Sequence, residues 1–358
     1  MTPAVSPVVG ADRARILADP GFGRYFSDHM VTVDWTLGTG WHDARLAPYG
    51  PLVMDPSTTV LHYGQAIFEG LKAFRQPDAG IATFRPHANA SRFNRSAYRM
   101  AMPELPDAAF VAAVDALVQI DRDWISDGPE NSLYVRPFMI STEVFLGVRA
   151  AHTYKFLVIA SPAGAYFPNG VLPVSVFISE EFVRAAPGGT GAAKVAGNYA
   201  ASLLAQQQAA DEGCDQVVWI DAVERRYVEE MGGMNLFFVL GSGADAELVT
   251  PELTGSLLAG ITRDSIITLA RDAGITVTER RFSVDEWRDG AVAGLVTETF
   301  ACGTAAVITP VGQVKAKTGD FTVADGGTGP LTLNLRAQLQ DIQYGRVPDP
   351  RGWVHRIL

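Results

Sequence analysis

The chain has 358 residues, of which 47% are hydrophobic, and carries a formal net charge of −10. Its length suits two ordinary globular domains, and its acidity argues against a nucleic acid or an anionic membrane as partner. Its two cysteines cannot build a disulfide framework or a structural zinc site. No secretion signal or membrane-spanning apolar run is visible, so we expect a cytoplasmic protein that binds small molecules and no metal.

Hydrophobic periodicity in the first half of the chain predicts both strands and helix. Alternating apolar residues at 30–35 predict a strand, and apolar residues at helical spacing predict a helix at 107–125. Two apolar runs, 134–141 and 154–160, predict further strands. The segment 161–170 is dense in turn-forming residues and therefore predicts a boundary between two domains.

The second half repeats this mixture. Strands are expected at 173–178, 216–220, 236–240 and 276–282, and helices at 200–212 and 261–273. A last helix is opened by Ser283, which forms a predicted capping box with Glu286. The fold class is therefore mixed α/β, with a small N-terminal domain at 1–164, a connector at 165–171 and a larger C-terminal domain at 172–358.

Lys194 is the most informative single residue. It is one of only five lysines among 29 basic residues, and it follows the glycine-rich stretch 188–191 just before a predicted helix. Tyr199 lies five residues on, and two adjacent carboxylates, Glu229 and Glu230, come later. An aldehyde cofactor bound as a Schiff base needs an amine, a phenol and a carboxylate of this kind. Without these neighbours, a solvated surface lysine would be the ordinary interpretation.

Six separated motifs carry a resemblance to a known family. They occupy 61–74, 133–137, 188–199, 230–235, 258–263 and 303–306. Together they resemble the branched-chain amino acid aminotransferases of the fold-type IV pyridoxal phosphate class, over nearly the whole chain. The resemblance implies a two-domain architecture with pyridoxal 5'-phosphate held between the domains, and it places the cofactor lysine in the C-terminal domain.

The same resemblance implies roles for the cofactor-binding residues. Lys194 would hold the cofactor covalently and act as the catalytic acid and base, a dual role that an arginine could not fill. Glu230, rather than Glu229, would face the pyridine nitrogen, and Tyr199 would bind the ring oxygen. The phosphate would be bound by the loop-to-helix segment Ile261 and Thr262, together with further residues of the family pattern. These are Arg92, which competes with Arg95 and Arg99 on the same helix, and Thr304; Leu258 would be a further cofactor contact.

The substrate pocket must accept both aliphatic side chains and the γ-carboxylate of glutamate. The resemblance implies apolar walls from Phe22, Tyr63, Phe68 and Tyr134, and carboxylate-binding groups from Arg136 and Tyr166. Backbone N–H groups of Thr304 and Ala305 would bind the substrate α-carboxylate. The turn that contains Val148 would come from the neighbouring subunit of a homodimer.

The predicted activity is reversible transfer of the amino group of L-leucine, L-isoleucine or L-valine to 2-oxoglutarate by a ping-pong mechanism. The products would be the 2-oxo acid and L-glutamate. Another fold-type IV enzyme, such as a D-amino acid aminotransferase or an aminodeoxychorismate lyase, is the nearer alternative, because it would keep Lys194 and Glu230. A protein that binds pyridoxal phosphate or an anion without turnover is the more distant alternative.

Overall fold

The computed structural model describes residues 7–8, 10–165 and 170–358. In the described residues the helices are α1 (Gly10–Ala18), α2 (Val60–Tyr63), α3 (Pro86–Arg99), α4 (Asp107–Ile120), α5 (Ala196–Ala200), α6 (Leu203–Asp211), α7 (Ile261–Asp272), α8 (Val284–Val292) and α9 (Pro330–Gln343). The strands are β1 (His29–Thr36), β2 (Gly40–Pro48), β3 (Ala66–Phe68), β4 (Leu71–Arg75), β5 (Ile81–Phe84), β6 (Ser132–Ser141), β7 (Thr153–Ala163), β8 (Val174–Ser179), β9 (Gln216–Ile220), β10 (Val228–Met231), β11 (Met234–Leu240), β12 (Glu247–Thr250), β13 (Thr276–Glu279), β14 (Val296–Gly303), β15 (Val307–Lys315), β16 (Phe321–Thr322) and β17 (Val354–Arg356). The predicted mixed α/β class is confirmed.

The chain divides into two compact units. The first unit takes Met1–Pro168, Ala193–Gly197 and Ile342–Leu358, and the second takes Asn169–Ala192 and Asn198–Asp341. The predicted domains were continuous in sequence, and this division differs from them in one respect that matters for the site. Lys194 belongs to the first unit and not to the C-terminal one. Part of the predicted connector, 166–169, lies outside the described residues.

The first unit is built on an eight-stranded sheet in which all pairings are antiparallel. The strand order is β17-β5-β4-β6-β7-β1-β2, and β3 pairs with β6 beside this path. Helices α3 and α4 contribute Phe93, Phe110 and Leu117 to a core shared with sheet residues such as Val135 and Phe156. This packing gives α3 a fixed position, from which its side chains contribute to the site.

Strand β6 separates core residues from site residues by simple alternation. Leu133 and Val135 are buried in the core, whereas Tyr134 and Arg136 are half-buried. Because successive side chains of a strand point to opposite faces, Tyr134 and Arg136 share one face of the sheet. The ten-residue pairing of β6 with β7 fixes the register of this face.

The second unit contains a nine-stranded sheet of mixed direction. The strand order is β10-β9-β8-β15-β14-β11-β12-β13, and β16 pairs with β15. An additional pairing of β10 with β11 closes a circuit of six strands: β10, β9, β8, β15, β14 and β11. The core of this unit includes Phe238, Phe282 and Trp287, whose rings stack or meet edge to face. The short hairpin β10–β11 carries Glu230 opposite Asn235.

Most predicted elements are confirmed with shifted ends. The strands expected at 30–35, 134–141, 154–160, 173–178, 216–220 and 236–240 correspond to β1, β6, β7, β8, β9 and β11. The helix expected at 107–125 ends at Ile120, and a separate 3₁₀ turn, Arg122–Trp124, follows. The helix expected at 200–212 begins only at Leu203, and the strand expected at 276–282 ends at Glu279. Apolar side chains continue into these turns, so periodicity alone does not mark the ends.

Half of the predicted capping box is present. The Ser283 hydroxyl accepts a hydrogen bond from the Glu286 N–H at 3.0 Å, as an N-cap serine does. The Glu286 carboxylate binds Arg280 at 2.6 and 3.0 Å instead of reaching back to the backbone of Ser283. The ion pair has therefore taken the place of the second capping bond.

Both cysteines, Cys214 and Cys302, are buried and free. Burial raises the pKa of each thiol, most strongly for Cys302. None of the described helices is both long enough and apolar enough to cross a membrane.

Candidate active site

Lys194 is held through its backbone inside the first unit. Its N–H donates to the Ser96 hydroxyl at 2.9 Å, and its C=O accepts from the Phe68 N–H at 3.1 Å. A bridge between Ile67 and Val195 continues this pairing. The Lys194 side chain is half-buried, and its Nζ lies 4.8 Å from the centroid of the Phe68 ring. Because the backbone is fixed on both sides, the amine has a defined position next to a predicted substrate residue.

Helix α3 contributes two groups to this region. Arg92 and Ser96 are one helical turn apart and therefore lie on the same face of the helix. Ser96 fixes Lys194, as described, and donates its own hydroxyl to the Arg92 C=O at 3.1 Å. Arg92 forms a two-pronged ion pair with Glu69, at 2.7 Å from Nε to Oε1 and 2.8 Å from an Nη to Oε2. Arg92 is therefore buried with its partner, whereas Arg95 and Arg99 are exposed.

Glu69 is the charged centre of this group. It is fully buried and also accepts a hydrogen bond from Asn89 at 2.8 Å. Burial alone would raise its pKa, but the positive charges of Arg92 and Lys194, together with these hydrogen bonds, leave the pKa of Glu69 below its ordinary value. The carboxylate therefore stays ionised and stabilises two neighbouring cations.

The predicted substrate residues of the first unit form one aromatic cluster. The Arg136 guanidinium lies 4.8 Å from the Phe68 ring centroid and 5.2 Å from that of Tyr134, and it donates to the Tyr134 hydroxyl at 3.0 Å. Phe22 meets Tyr134 edge to face at 4.9 Å. A Cβ added at Gly70 would overlap the Tyr134 hydroxyl, so glycine is required there for the tyrosine to keep its position. The cluster therefore combines apolar ring faces with the guanidinium cation of Arg136.

The other predicted substrate residues of the first unit are more exposed. The Tyr63 hydroxyl donates to the Leu146 C=O at 2.5 Å and so connects α2 to the turn that carries Val148. Leu146 and Val148 are 70% and 88% exposed. Tyr166, predicted to receive a carboxylate, lies outside the described residues.

In the second unit, Glu230 and Asn235 hold the backbone of Leu258. Glu230 Oε1 accepts the Leu258 N–H at 2.7 Å, and the Asn235 side-chain amide donates to the Leu258 C=O at 3.0 Å. A Cβ at Gly260 would overlap the Asn235 side chain. The β10–β11 hairpin therefore determines where the segment leading into α7 lies.

Arg184 is the ionic partner of Glu230. Its Nε lies 3.2 Å from Glu230 Oε2, and both side chains are buried. The same guanidinium also donates to the Gly191 C=O at 3.3 Å and to the Ser256 C=O. A buried carboxylate next to an arginine is stabilised in its charged form, which is the form that can pair with a protonated ring nitrogen.

The two adjacent glutamates of β10 have different surroundings. Glu229 accepts a hydrogen bond from the Ser256 hydroxyl, whereas Glu230 is paired with Arg184. Burial raises the pKa of Glu229, and the attraction of Ser256 and Arg184 only partly offsets this. The alternation expected from a strand is consistent with these separate partners.

The remaining predicted cofactor residues line loop and helix ends of the second unit. Helix α7 begins at Ile261 with Gly260 as its N-cap, and Thr262 is buried in the first turn. The loop-to-helix transition predicted there is confirmed, and the N–H groups at a helix start suit a phosphate. Tyr199 lies in α5, with its ring close to Gly233. Thr304 and Ala305 are half-buried in the turn between β14 and β15.

Sequence reasoning missed three supporting residues: Glu69, Arg184 and Asn235. Glu69 stands next to Phe68 and Asn235 closes the 230–235 motif, so both lay inside motifs whose other members were chosen. Arg184 precedes Lys194 by ten residues and carries no local pattern that would reveal its partner.

Comparisons with known proteins agree with this geometry. A family model described as amino-transferase class IV matches residues 66–314. A branched-chain-amino-acid aminotransferase of Mycolicibacterium smegmatis is 61% identical over 353 residues, which cover 98% of this chain and 96% of the relative.

Two solved structures of the T.th. branched-chain amino acid aminotransferase are also similar. The one with pyridoxamine 5'-phosphate has a TM-score of 0.75 and 29% identity, over 91% of this chain and 98% of that chain. The one with N-(5'-phosphopyridoxyl)-L-glutamate has a TM-score of 0.72 and 28% identity, with the same coverage. The chain therefore belongs to the class IV aminotransferase family and, within it, to the branched-chain-amino-acid aminotransferases.

Proposed function

We propose that the protein transfers the amino group of L-leucine, L-isoleucine or L-valine to 2-oxoglutarate, reversibly and with pyridoxal 5'-phosphate as cofactor. The observation that carries the proposal is the 61% identity, over almost the full length, to a branched-chain-amino-acid aminotransferase. The pyridoxamine 5'-phosphate in a related structure supports the choice of cofactor.

The residues of each unit fit such a cofactor. Lys194 offers a positioned amine, and Glu230 offers a buried carboxylate for the pyridine nitrogen. Tyr199 is assigned to the ring oxygen. The phosphate is assigned to Arg92, to the start of α7 at Ile261 and Thr262, and to Thr304, with Leu258 as a further cofactor contact. The cofactor, when bound, supplies the electron sink and the carrier for the amino group.

Lys194 holds and moves the proton at the substrate Cα. An amine can accept that proton and return it, whereas a guanidinium at this position would stay protonated. Glu69 supports the step by placing a negative charge near the lysine, since its electrostatic attraction to Lys194 is one of the effects that keep its pKa low. Glu230 keeps the ring nitrogen protonated, which a neutral residue would not do.

The substrate contacts follow from the aromatic cluster. Phe22, Phe68 and Tyr134 provide apolar faces for an aliphatic side chain, with Tyr63 as a further wall, while the Arg136 guanidinium pairs with the γ-carboxylate of glutamate. The glutamate adduct in a related structure supports this second use of the pocket. The N–H groups of Thr304 and Ala305 bind the α-carboxylate, and Tyr166 is assigned to the γ-carboxylate.

A homodimer is part of the proposal. The exposed apolar side chains of Leu146 and Val148 suit contact with a second copy of the chain, in which this turn closes the substrate pocket of the neighbour. We also assign the enzyme to the cytoplasm, because two free cysteines suit a reducing compartment.

The test is an absorbance spectrum of the purified protein with pyridoxal phosphate. We expect a band near the visible edge that collapses with L-isoleucine and returns with 2-oxoglutarate. Lys194→Ala should abolish turnover, whereas Lys317→Ala, at an exposed lysine, should leave it unchanged. A band that responds only to D-alanine would indicate another fold-type IV enzyme. The absence of any band would refute the cofactor assignment itself.

A further inference from the structure

A cavity of about 110 Å³ lies within the second unit, on the side of β10 that carries Glu229. Its apolar walls include Val228, Pro251 and Leu257, all of them buried. An engineered cavity of roughly 150 Å³ can take up benzene, so a molecule of about four or five non-hydrogen atoms suits this one. The cavity therefore has the size and lining for a small organic molecule.

Glu229 gives this cavity a polar group that the walls do not satisfy. Only 4% of the residue is exposed, and its Oε1 accepts the Ser256 hydroxyl. Its Oε2 is buried and has no hydrogen-bond partner among the described residues. A buried carboxylate oxygen without a partner is costly, so a donor that enters the cavity would gain both charge attraction and a hydrogen bond.

The charge around the cavity selects the sign of the ligand. Asp221, Glu224, Glu229 and Glu252 face one cation, Arg281, in the lining. Arg281 is already paired with Glu224 at 2.7 Å and lies 3.4 Å from Glu252. The Asp221 carboxylate already accepts hydrogen bonds from backbone N–H groups of the 221–227 loop. Arg184, which also attracts Glu229, is paired with Glu230. The remaining charge is therefore negative and favours a cation over an anion.

We propose that this cavity binds a small alkylammonium ion whose N–H donates to Glu229 Oε2. The apolar walls take the alkyl groups, and the buried carboxylate takes the charge. A hydrated metal ion does not suit such walls, because hard cations require several oxygen ligands. The site is separate from the proposed cofactor contact, since the neighbouring Glu230 has its own partners, Arg184 and the Leu258 N–H.

The probe is trimethylammonium, which cannot form a Schiff base and therefore cannot react with an aldehyde cofactor. Its affinity for the purified full-length protein is measured by ligand-observed NMR titration, with neutral tert-butanol as the comparison of similar shape. We expect trimethylammonium to bind at least 10-fold more tightly than tert-butanol. Glu229→Gln should weaken trimethylammonium binding at least 10-fold, and Glu252→Gln, at the exposed rim, should weaken it less.

Three outcomes would overturn the proposal. Equal affinity for the two probes would mean an apolar cavity without charge selection. Unchanged trimethylammonium binding in Glu229→Gln would place the ion elsewhere. Absence of saturable binding to the wild-type protein would mean that only water donates a hydrogen bond to Glu229 Oε2. The comparison of two probes uses the wild-type chain, so it remains decisive if the variant does not fold. It also requires no transamination, so it is independent of the proposed function.

Discussion

Each of the two units contains a buried arginine–glutamate pair, and the two pairs are used in opposite ways. In the first unit Arg92 is the proposed cofactor ligand and Glu69 is its support. In the second unit Glu230 is the proposed ligand and Arg184 is the support. Before the cofactor binds, a buried charge needs a partner of opposite sign. The supporting member of such a pair therefore belongs to the proposed site as much as the ligand does.

The pairs also differ in how firmly they are joined. Arg92 and Glu69 share two parallel hydrogen bonds, and Asn89 adds a third to the carboxylate. In the Arg184–Glu230 pair, Nε lies 3.2 Å from Oε2, and the other Glu230 oxygen accepts a hydrogen bond from the Leu258 N–H. A bidentate pair is stronger and more specific in geometry. Removing one partner should therefore lower the free energy of unfolding more in the first unit than in the second.

Glu69→Ala should have the largest effect of the variants considered. It leaves the Arg92 guanidinium buried without its carboxylate, and breaking a buried pair in this way costs about 3–5 kcal/mol. The free energy of unfolding, measured by urea denaturation of the cofactor-free protein, should fall by that amount. A loss below about 1 kcal/mol would show that the pair behaves like an exposed one.

The control for this prediction removes both members of the pair. Glu69→Met with Arg92→Met replaces two buried charges by apolar side chains of similar length, which is often neutral for stability. We expect the double variant to regain most of the lost stability and yet to bind pyridoxal phosphate weakly. Recovery of both properties would mean that Arg92 is not a phosphate ligand.

Arg184→Met should have a smaller but clear effect, on the order of 2–3 kcal/mol in the free energy of unfolding. The Leu258 N–H still binds Glu230, so the carboxylate is not left without a donor. Arg184→Lys is the matched control, because it keeps the positive charge and loses the extended guanidinium. If Arg184→Met destabilised the protein more than Glu69→Ala, the difference in geometry between the pairs would not govern their strength.

Gly260→Ala tests how precisely the second unit holds its cofactor segment. The added Cβ would overlap the Asn235 side chain and displace it from the Leu258 C=O. We expect overpacking of about 1–3 kcal/mol and weaker pyridoxal phosphate binding by fluorescence titration. Gly197→Ala is the control, because no atom lies within 4 Å of a Cβ there. Equal behaviour of the two variants would contradict the role of Asn235.

The sequence could predict the proposed ligands of the site better than their supports. Lys194 and Glu230 stand in local motifs, so their identities were accessible from a single chain. Glu69 and Arg184 act through partners 23 and 46 residues away in the chain, and only the folded sheets bring those partners together. Motif reasoning also could not assign Lys194 to the first unit, because that assignment depends on its bonds to Ser96 and Phe68.

The fold shows the same limit. Strands with a clear apolar pattern, such as the alternating β1 and the continuous apolar run of β9, were predicted within a residue of their ends. Short strands such as β3 and β10 had no predicted ends, since three or four residues carry too little periodicity to mark them. Their existence depends on pairing: β3 pairs with β6, and β10 pairs with both β9 and β11. The strands that position Phe68 and Glu230 were therefore the least accessible from sequence.

Substitution of Glu229 should have the smallest effect on stability of the variants considered. It neighbours Glu230 in β10, yet burial raises its pKa above the ordinary value of 4.5, whereas the pKa of Glu69 is lowered. A raised carboxyl pKa means that the folded state binds more protons than the unfolded state, so this group lowers stability as pH rises above about 4.5. A lowered pKa has the opposite sign, and the stability from Glu69 is lost as pH falls below that value.

Glu229→Gln should therefore gain stability relative to the wild type between pH 5 and pH 8, by on the order of 1 kcal/mol. Any constant cost of the new amide cancels in this difference, because an amide does not titrate in the range. Glu69→Gln is the matched comparison. It should be less stable than the wild type at pH 5 and above, and this difference should shrink only as the pH falls below about 4.5. Urea denaturation of the three proteins at pH 5 and pH 8 measures the Glu229 trend, and the same measurement below pH 4.5 measures the Glu69 trend. If Glu229→Gln showed no change with pH, the attraction of Arg184 and Ser256 would fully offset the burial of Glu229, and the contrast between the two carboxylates of β10 would not hold.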